Sequence, residues 1–425
     1  MLRSPISLSK DSVFFIISFT LFFSTFLQSP TFLMANQKIP ILVLSLPVLF
    51  FYLFSDIFKK KVFKWLILLF LITLWVVIPT IILINARLTT KPFLFVSDSP
   101  IQIEAAIKFL LSGQNPYTED YLKTDLVKWP YYQPENALQP KLNPALFHLV
   151  YLPFNFLSIV PLYLIWNGIF GWFDVRIFYL SLYLFLLPLI TLLVKKELRF
   201  SFLSLFALNP FFAMFIPEGS NDVLTIFLLI LVFIFTSRKK YSFSAILVGL
   251  SLATKQTAWI FLLVYLPFLY FRISKNKMKE IVKFLSITAV SAIILIVPFF
   301  LCNPRDFIDD TLSYISGGSK VSSPISGFGF SILYNNLIPE GIKSYPSTLL
   351  QLIFGGLTYI FTIRLLKREH TLNILSLSFS LLLLVVSFFS RYFLDSHLGV
   401  VIQFIILAYF INAYFIDSAL TSSKM

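Results

Sequence analysis

The residues whose type and placement suggest chemistry begin with an aspartate set just behind a long apolar run. Asp98 lies in Val96-Ser97-Asp98-Ser99-Pro100, after an apolar stretch at 65–85 and before an amphipathic stretch, Ile101 to Leu111, that stops at Ser112-Gly113. Asp98 and Ser99 suit a helix N-terminus, where their side chains cap the first amides. The alternative is a carboxylate fixed at a membrane surface, able to take a proton from a hydroxyl as general base. Lys255, in Ala253-Thr254-Lys255-Gln256, sits at a turn between apolar stretches, where an unpaired ammonium is expensive. It either snorkels to the interface or meets an anion there. Arg391 has the planar fork that suits a phosphate, and otherwise is an interfacial anchor. Asp222, after Glu218-Gly219-Ser220-Asn221, opens another apolar run. It is either an ordinary helix start or, with Glu218, a partner for Lys255.

Other chemistries are poorly served. His148, His370 and His397 are the three histidines, and none has metal-ligand spacing. A cation held by Asp395, His397 and Asp98 is the one arrangement to weigh; no metal or other cofactor is expected. Cys302 is the single cysteine, which excludes an intrachain disulfide and a cysteine metal site. Gly317-Gly318-Ser319-Lys320 lacks the first spaced glycine of a P-loop. With Ser326-Gly327-Phe328-Gly329 it forms either a mobile lid or an ordinary surface loop.

The elements that must position these residues are membrane spans. Of 425 residues, 58% are hydrophobic and 13% charged, with a mean hydropathy of +0.85. Soluble domains carry about 25% charged residues, so this chain lacks the charge to cover a water-facing surface. The net charge of +14 gathers in short runs between apolar stretches: Lys59–Lys61 with Lys64, Lys195–Arg199, Arg238–Lys240, Arg272–Lys283 and Arg364–Arg368. Such runs orient a membrane protein and meet anionic headgroups; no segment offers the basic, aromatic-bearing surface that nucleic acid requires.

Apolar stretches fall at 12–28, 39–57, 65–85, 200–217, 221–236, 281–301, 346–364, 371–389 and 397–416. The first follows Arg3 and Lys10 with no small-residue cleavage site and reads as a retained helix. Keeping Arg238–Lys240 and Arg272–Lys283 on one side requires 241–271 to form two short spans turning near Lys255. The stretch 144–194 reads as a re-entrant or interfacial piece followed by one crossing, with three crossings as the alternative. The expected fold is an all-α polytopic bundle of about twelve transmembrane helices, both termini cytoplasmic. It divides into a two-helix membrane extension at 1–64, a membrane module at 65–416 and a tail at 417–425. Two long polar loops, 86–143 and 302–345, are expected outside, and loops of that length are usually functional.

Asp98, the short helix after it and Leu110-Leu111-Ser112-Gly113-Gln114-Asn115-Pro116-Tyr117 resemble the first outer loop of integral-membrane GT-C glycosyltransferases. The resemblance is closest to the polyprenol-phosphate-mannose-dependent branch grouped as glycosyltransferase family 87. Gln139-Pro140-Lys141-Leu142-Asn143-Pro144 stands where that family leads into its next membrane segment, here with the prolines separated. Glu218-Gly219-Ser220-Asn221-Asp222 is similar to its second acidic motif, and Gly249 to Gln256 to its lysine-bearing span end. Arg391-Tyr392-Phe393-Leu394-Asp395-Ser396-His397 is similar to its late outer turn.

This resemblance implies transfer of a hexose, mannose in that branch, from a polyprenyl or dolichyl phosphate to a lipid, glycan or protein acceptor outside the cell membrane. Asp98 is the expected base, with Asn115, Tyr117, Lys141, Asn221, Asp222, Lys255, Arg391 and His397 as substrate contacts. A departing phosphate needs no proton but needs preorganised positive charge, which Lys255 and Arg391 supply. Tyr117 and Trp129 are candidate sugar platforms. The rivals are a flippase or transporter of lipid-linked sugars, which calls for more charge deep in the spans, and an O-antigen ligase or polymerase, which calls for its longest loop late. A non-catalytic scaffold is the third.

Overall fold

Backbone amides and carbonyls left unpaired in hydrocarbon are costly, so a chain this apolar crosses a membrane as helices. The computed structural model describes residues 9–28, 32–58, 60–131, 142–338 and 345–411. Among these, seven helices are long and apolar enough to cross: Lys10–Gln28, Ala35–Ile57, Lys61–Thr89, Pro153–Phe170, Arg176–Leu193, Lys277–Cys302 and Ser347–Arg368. The shorter apolar helices Asp222–Ser237, Tyr241–Leu252, Thr257–Arg272, Leu372–Phe388 and Asp395–Phe410 complete the bundle. Asp222–Ser237 is buried on nearly every side, whereas Lys277–Cys302 and Ser347–Arg368 turn most of their apolar surface outward, as a lipid-facing helix does. The architecture is that of an all-α polytopic membrane protein.

The first two helices are packed into the same core as the rest. Phe22 stacks on Trp75 at 4.2 Å, and the Trp75 indole donates to the Ser45 hydroxyl at 2.7 Å. Phe15 stacks on Tyr52 at 3.8 Å, and Phe200 lies 5.9 Å from Tyr52. At the basic end, Lys64 pairs with Asp56, which also accepts from the Ser12 hydroxyl at 2.6 Å. Those contacts place the described residues of the first two helices in the same buried apolar cluster as the later ones, and the third helix begins at Lys61.

Three stretches show how sequence sets local structure. The apolar run 200–217 is no regular span: it breaks into Arg199–Ala207 and Pro210–Ala213. Asn209 caps the second piece through Phe211 N–H, and Pro210 occupies its first turn, where its missing amide costs nothing. The carbonyls exposed by the break are taken by Gln403 at 2.8 Å and Tyr183 at 2.7 Å, which is how a broken helix is tolerated inside a membrane protein. The 241–271 stretch folds as two helices, Tyr241–Leu252 and Thr257–Arg272, turning at 253–256 around Lys255.

In 144–194, Leu152 N–H and Phe154 N–H bond to Thr254 and Ala253, so the chain enters Pro153–Phe170 at the Lys255 end of the bundle. It leaves at the Trp172–Asp174 turn, where Asp174 meets Arg87 at 2.8 Å. Arg176–Leu193 then runs toward the Lys195–Arg199 run. The described parts of both loops expected outside meet at this same end, where His148 and Leu149 bond Asp310. Ser326–Gly327 pairs in parallel with Tyr392–Phe393, joining the second loop to the late turn. Gly327, at φ +97°, lies where a Cβ would stand 1.8 Å from the Phe393 carbonyl oxygen, so the close pairing requires glycine.

Candidate active site

The Asp98–Leu111 helix is seated by a distant turn. Ser97 bonds to the Glu218 carbonyl through both its amide, at 3.3 Å, and its hydroxyl, at 2.8 Å. Gly219, at φ +96°, lies against Pro100, where a Cβ would fall 2.2 Å from Pro100 Cγ. Asp98 is thereby fixed in the first turn of its helix, and its Oδ2 accepts from the Asn143 amide at 2.9 Å. Burial pushes its carboxyl pKa above the usual carboxylate value, opposed by the Asn143 amide and the backbone N–H groups of Ser99 and Asp98 itself. Among the described residues no cation pairs with it.

A second acid stands in the same cleft. Asp222 opens the Asp222–Ser237 helix and receives Lys255 Nζ at 2.6 Å, while Lys255 also reaches Asn221 Oδ1 at 3.3 Å. Ser396 and His397, at the start of the last helix, face the same carboxylate. His397 Nδ1 accepts from Leu394 N–H at 3.2 Å, which orients the ring and closes that helix start. The Tyr151 and Tyr392 hydroxyls stand within electrostatic reach of both carboxylates. Withdrawal from water raises both hydroxyl pKa values, and the charges of Asp98 and then Asp222 raise them further. Four distant parts of the chain, Asp98, Asn221-Asp222, Lys255 and His397, are thereby brought to one cleft.

Arg391 sits beside this cleft under different conditions. Its side chain lies against Gly317, where a Cβ would be 2.7 Å from Cζ and the φ is +91°. Among the described residues its side chain makes one hydrogen bond, a long one from Nη2 to the Ser323 carbonyl at 3.4 Å, and its buried Nε has no partner. Desolvation lowers its pKa from the usual guanidinium value. A half-buried guanidinium with donors to spare is a ready receptor for an oxyanion.

The remaining expected contacts are placed differently. Tyr117 is 2% exposed, packed on Phe307 at 4.7 Å, and its hydroxyl donates to the Tyr151 carbonyl at 2.6 Å. It faces the core and holds Tyr151 in place. Asn115 forms the turn before it, accepting from Tyr117 N–H at 3.2 Å and donating to the Phe299 carbonyl at 3.3 Å. Trp129 donates to the Val96 carbonyl at 2.9 Å, bracing the approach to Asp98. Lys141 lies outside the described residues. Glu218 does not pair with Lys255; it lines a small hollow with Trp75 and Met214. Burial, and then neighbouring Asp395, push its carboxyl up to about 8, so it is largely uncharged at neutral pH. Among the described residues no three His, Cys, Asp or Glu side chains converge as a metal site would require.

Sequence reasoning missed Asn143, Tyr151 and Tyr392, and two charged clusters. His148 Nδ1 lies 2.9 Å from Asp310, which also accepts from Leu149 N–H at 3.0 Å; this pins the second polar loop to the first. Arg87 bridges Glu104 and Asp174, and Arg176 clasps Asp174 at 2.7 and 2.8 Å. No sequence spacing announces pairs 162 or 87 residues apart.

A family model, glycosyltransferase family 87, matches residues 142–389. The matched stretch contains Asn143, Asn221, Asp222 and Lys255; Asp98, Arg391 and His397 lie outside it. Neither the curated proteins nor the solved structures gave a match.

Proposed function

The chain belongs to glycosyltransferase family 87 and is a membrane glycosyltransferase, and from that premise we propose that it moves a hexose, mannose foremost, from a polyprenyl or dolichyl phosphate to an acceptor hydroxyl. The acceptor is a lipid, a glycan or a protein. The cleft is assigned to the extracytoplasmic face of the cell membrane and both termini to the cytoplasm, because the basic runs gather at the opposite end of the bundle. No cofactor is invoked.

The reaction is a single inverting displacement. The acceptor oxygen attacks the anomeric carbon opposite the lipid phosphate and gives its proton to Asp98. The bond from the anomeric carbon to the phosphate oxygen breaks, and the electron pair leaves with the lipid monophosphate. Arg391 takes the developing phosphate charge. Lys255 is already paired with Asp222, so the pair, with Asn221 and His397, presents a polar wall to sugar hydroxyls and adds only part of the Lys255 charge. Asn115 and Tyr117 serve the site indirectly, by holding Tyr151. Lys141 remains a proposed substrate contact on sequence grounds.

The observation that carries this reading is Asp98: a carboxylate withdrawn from water, oriented by Asn143 and neutralised by no cation, in a cleft with a second, paired acid. General-base catalysis is worth about 10²–10⁴ in rate. Purified protein with synthetic polyprenyl-phosphate-mannose and candidate acceptors is expected to transfer sugar, and Asp98→Asn to lose about that factor. Undiminished transfer by Asp98→Asn rules the base out. Sidedness is tested by Asn115→Cys in a Cys302→Ser background: labelling from outside intact cells is expected, and labelling only from the cytoplasm removes the site assignment.

A further inference from the structure

A cavity separate from the Asp98 cleft opens on another face of the same helix. It holds about 300 Å³ and lies between the Asp98–Leu111 helix and the Pro153–Phe170 segment, beside the Trp172–Asp174 turn. Glu104 and Lys108, four residues apart, face it, whereas Asp98 and Gln102 share another side of the same helix. Gln102 is committed to the Ala145 and His148 carbonyls at 2.6 and 2.7 Å. Six residues separate Asp98 from Glu104, which is about a third of a turn around the helix and about 9 Å along it.

The lining of this cavity suits one ligand chemistry. Its floor is the Arg87–Glu104–Asp174 cluster, in which Arg87 spends its forks at 2.8 to 2.9 Å on the two carboxylates and its Nε on the Pro92 carbonyl at 2.6 Å. Both Asp174 oxygens and Glu104 Oε1 already take two donors each, so within the cluster Glu104 Oε2 is the oxygen with acceptor capacity to spare. Asn167, Lys108 and Asp125 also line the space, and their side chains have no hydrogen-bond partner among the described residues. Tyr163, Phe173 and Trp172 supply flat apolar walls. Arg87 and Arg176 are spent on Glu104 and Asp174, which leaves Lys108 and Asp125 as the uncommitted charges on the lining, so the cavity offers an anion no excess of positive charge. Flat rings beside a dense set of amide and carboxylate groups match a molecule with apolar C–H faces and an equatorial belt of hydroxyls. A volume of this size falls at the small end of ligand sites, roughly 300–1,000 Å³.

We propose that this cavity is a second carbohydrate site, which holds the non-reacting part of a neutral saccharide acceptor while another part of the acceptor is presented to Asp98. The proposal rests on the glycosyltransferase reading for the acceptor role, but the binding itself does not. Contacts far from the reacting atoms act on substrate and transition state alike and so appear mainly in KM. The Pro153–Phe170 segment has little of its surface buried within the bundle, which puts the cavity at the periphery of the protein. A free saccharide and the sugar head of a glycolipid are both able to reach it.

The test measures binding of methyl hexopyranosides and soluble hexose disaccharides by saturation-transfer NMR, and of alkyl glycosides bearing the same sugars with the protein in nanodiscs. Wild type and Asp98→Asn are expected to bind alike, and Trp172→Ala and Asn167→Ala to weaken binding at least tenfold and severalfold respectively. Soluble and alkyl glycosides binding equally identifies a free saccharide as the ligand; a strong preference for the alkyl forms identifies a glycolipid head. In turnover, Trp172→Ala is expected to raise the acceptor KM at least tenfold and leave the donor KM in place. Saccharide binding that survives both cavity substitutions, or that is lost in Asp98→Asn alone, overturns the second site. If wild type turns over no lipid-phosphate sugar while the binding pattern holds, the acceptor role falls with the glycosyltransferase reading, and the carbohydrate site stands.

Discussion

The Asp222–Lys255 pair gives the sharpest test of how charge is distributed in the cleft. Its two side chains are 4% and 15% exposed and meet at 2.6 Å, so each ion is held out of water chiefly by the other. Removing one member of such a pair costs about 3–5 kcal/mol, because the survivor is left buried and uncompensated, whereas replacing both by neutral groups of similar shape is often neutral or better. Lys255→Met is therefore expected to destabilise the protein by about that amount, and Asp222→Asn/Lys255→Met to recover most of it. Per-residue unfolding entropies convert 3–5 kcal/mol to a fall of roughly 3–6 °C for a chain of this length. The assay is thermal unfolding in nanodiscs of the wild type, both single variants and the double, read as a double-mutant cycle. If Lys255→Met melts with the wild type, or if the double variant melts no higher than Lys255→Met, Lys255 does not neutralise Asp222. Its ammonium would then be free for the donor phosphate, and the division of roles between Lys255 and Arg391 would be wrong.

The other expectations concern single groups. The raised pKa of Asp98 means that its base form is lost as pH falls through a value above the ordinary carboxylate range. The acid limb of log(kcat/KM) is expected there, and an acid limb within the ordinary aspartate range contradicts it. The stability sign is opposite: a carboxyl raised on folding contributes stability that is present below its unfolded pKa and lost as pH rises through the folded one. Asp98→Asn is thus expected to melt higher than wild type at neutral pH, with the gain vanishing in acid; a lower melting point at neutral pH counts against a buried, unpaired Asp98. Arg391→Met is expected to cut turnover by tenfold or more with Arg391→Lys restoring only part, since a point charge does not reproduce the fork; full rescue by lysine argues against oriented phosphate contact. Tyr117→Phe removes the bond to the Tyr151 carbonyl and is expected to cost about 1 kcal/mol in stability, with turnover falling less than in Asp98→Asn; an equal fall would make Tyr117 a direct participant.

What the sequence revealed and what it hid follow from the range of the interactions. Periodicity and charge runs are local, so the turn at Lys255, the stop at Ser112-Gly113 and the all-helical architecture were legible in order along the chain. The break at Asn209-Pro210 was legible too, since an asparagine before a proline is a helix-start signal, but its apolar surroundings outweighed it. Asn143 was quoted only as part of a motif, because nothing local marks an amide that ends 2.9 Å from a carboxylate 45 residues earlier. Tyr117 was singled out for its ring, yet its hydroxyl is the part that reaches the cleft wall. His148 was judged by metal-ligand spacing, a local criterion, while its partner Asp310 is 162 residues away.

Asp98, Asp222 and Lys255 in the cleft and Arg391 beside it are two acids and two cations, and their pairing decides which of them remain for chemistry. Asp222 and Lys255 satisfy each other, which leaves Asp98 as the acid without a cation and Arg391 as the cation without an acid. An aspartate neutralised by lysine is a weak base and a poor receiver of a proton; an aspartate raised by burial, with amide donors alone, is a better one. Likewise a guanidinium already forked to a carboxylate has little to offer a phosphate. Leaving two opposite charges unpaired in one partly dry cleft is costly unless something separates them and something else completes them. The parallel Ser326–Gly327 and Tyr392–Phe393 pairing and the Gly317 turn hold Arg391 in place, with no salt bridge to Asp98, and Asn143 holds Asp98. A lipid-phosphate sugar with an acceptor hydroxyl supplies both missing partners at once, an anion for Arg391 and a proton for Asp98. The same imbalance that weakens the empty fold is what the substrate would relieve.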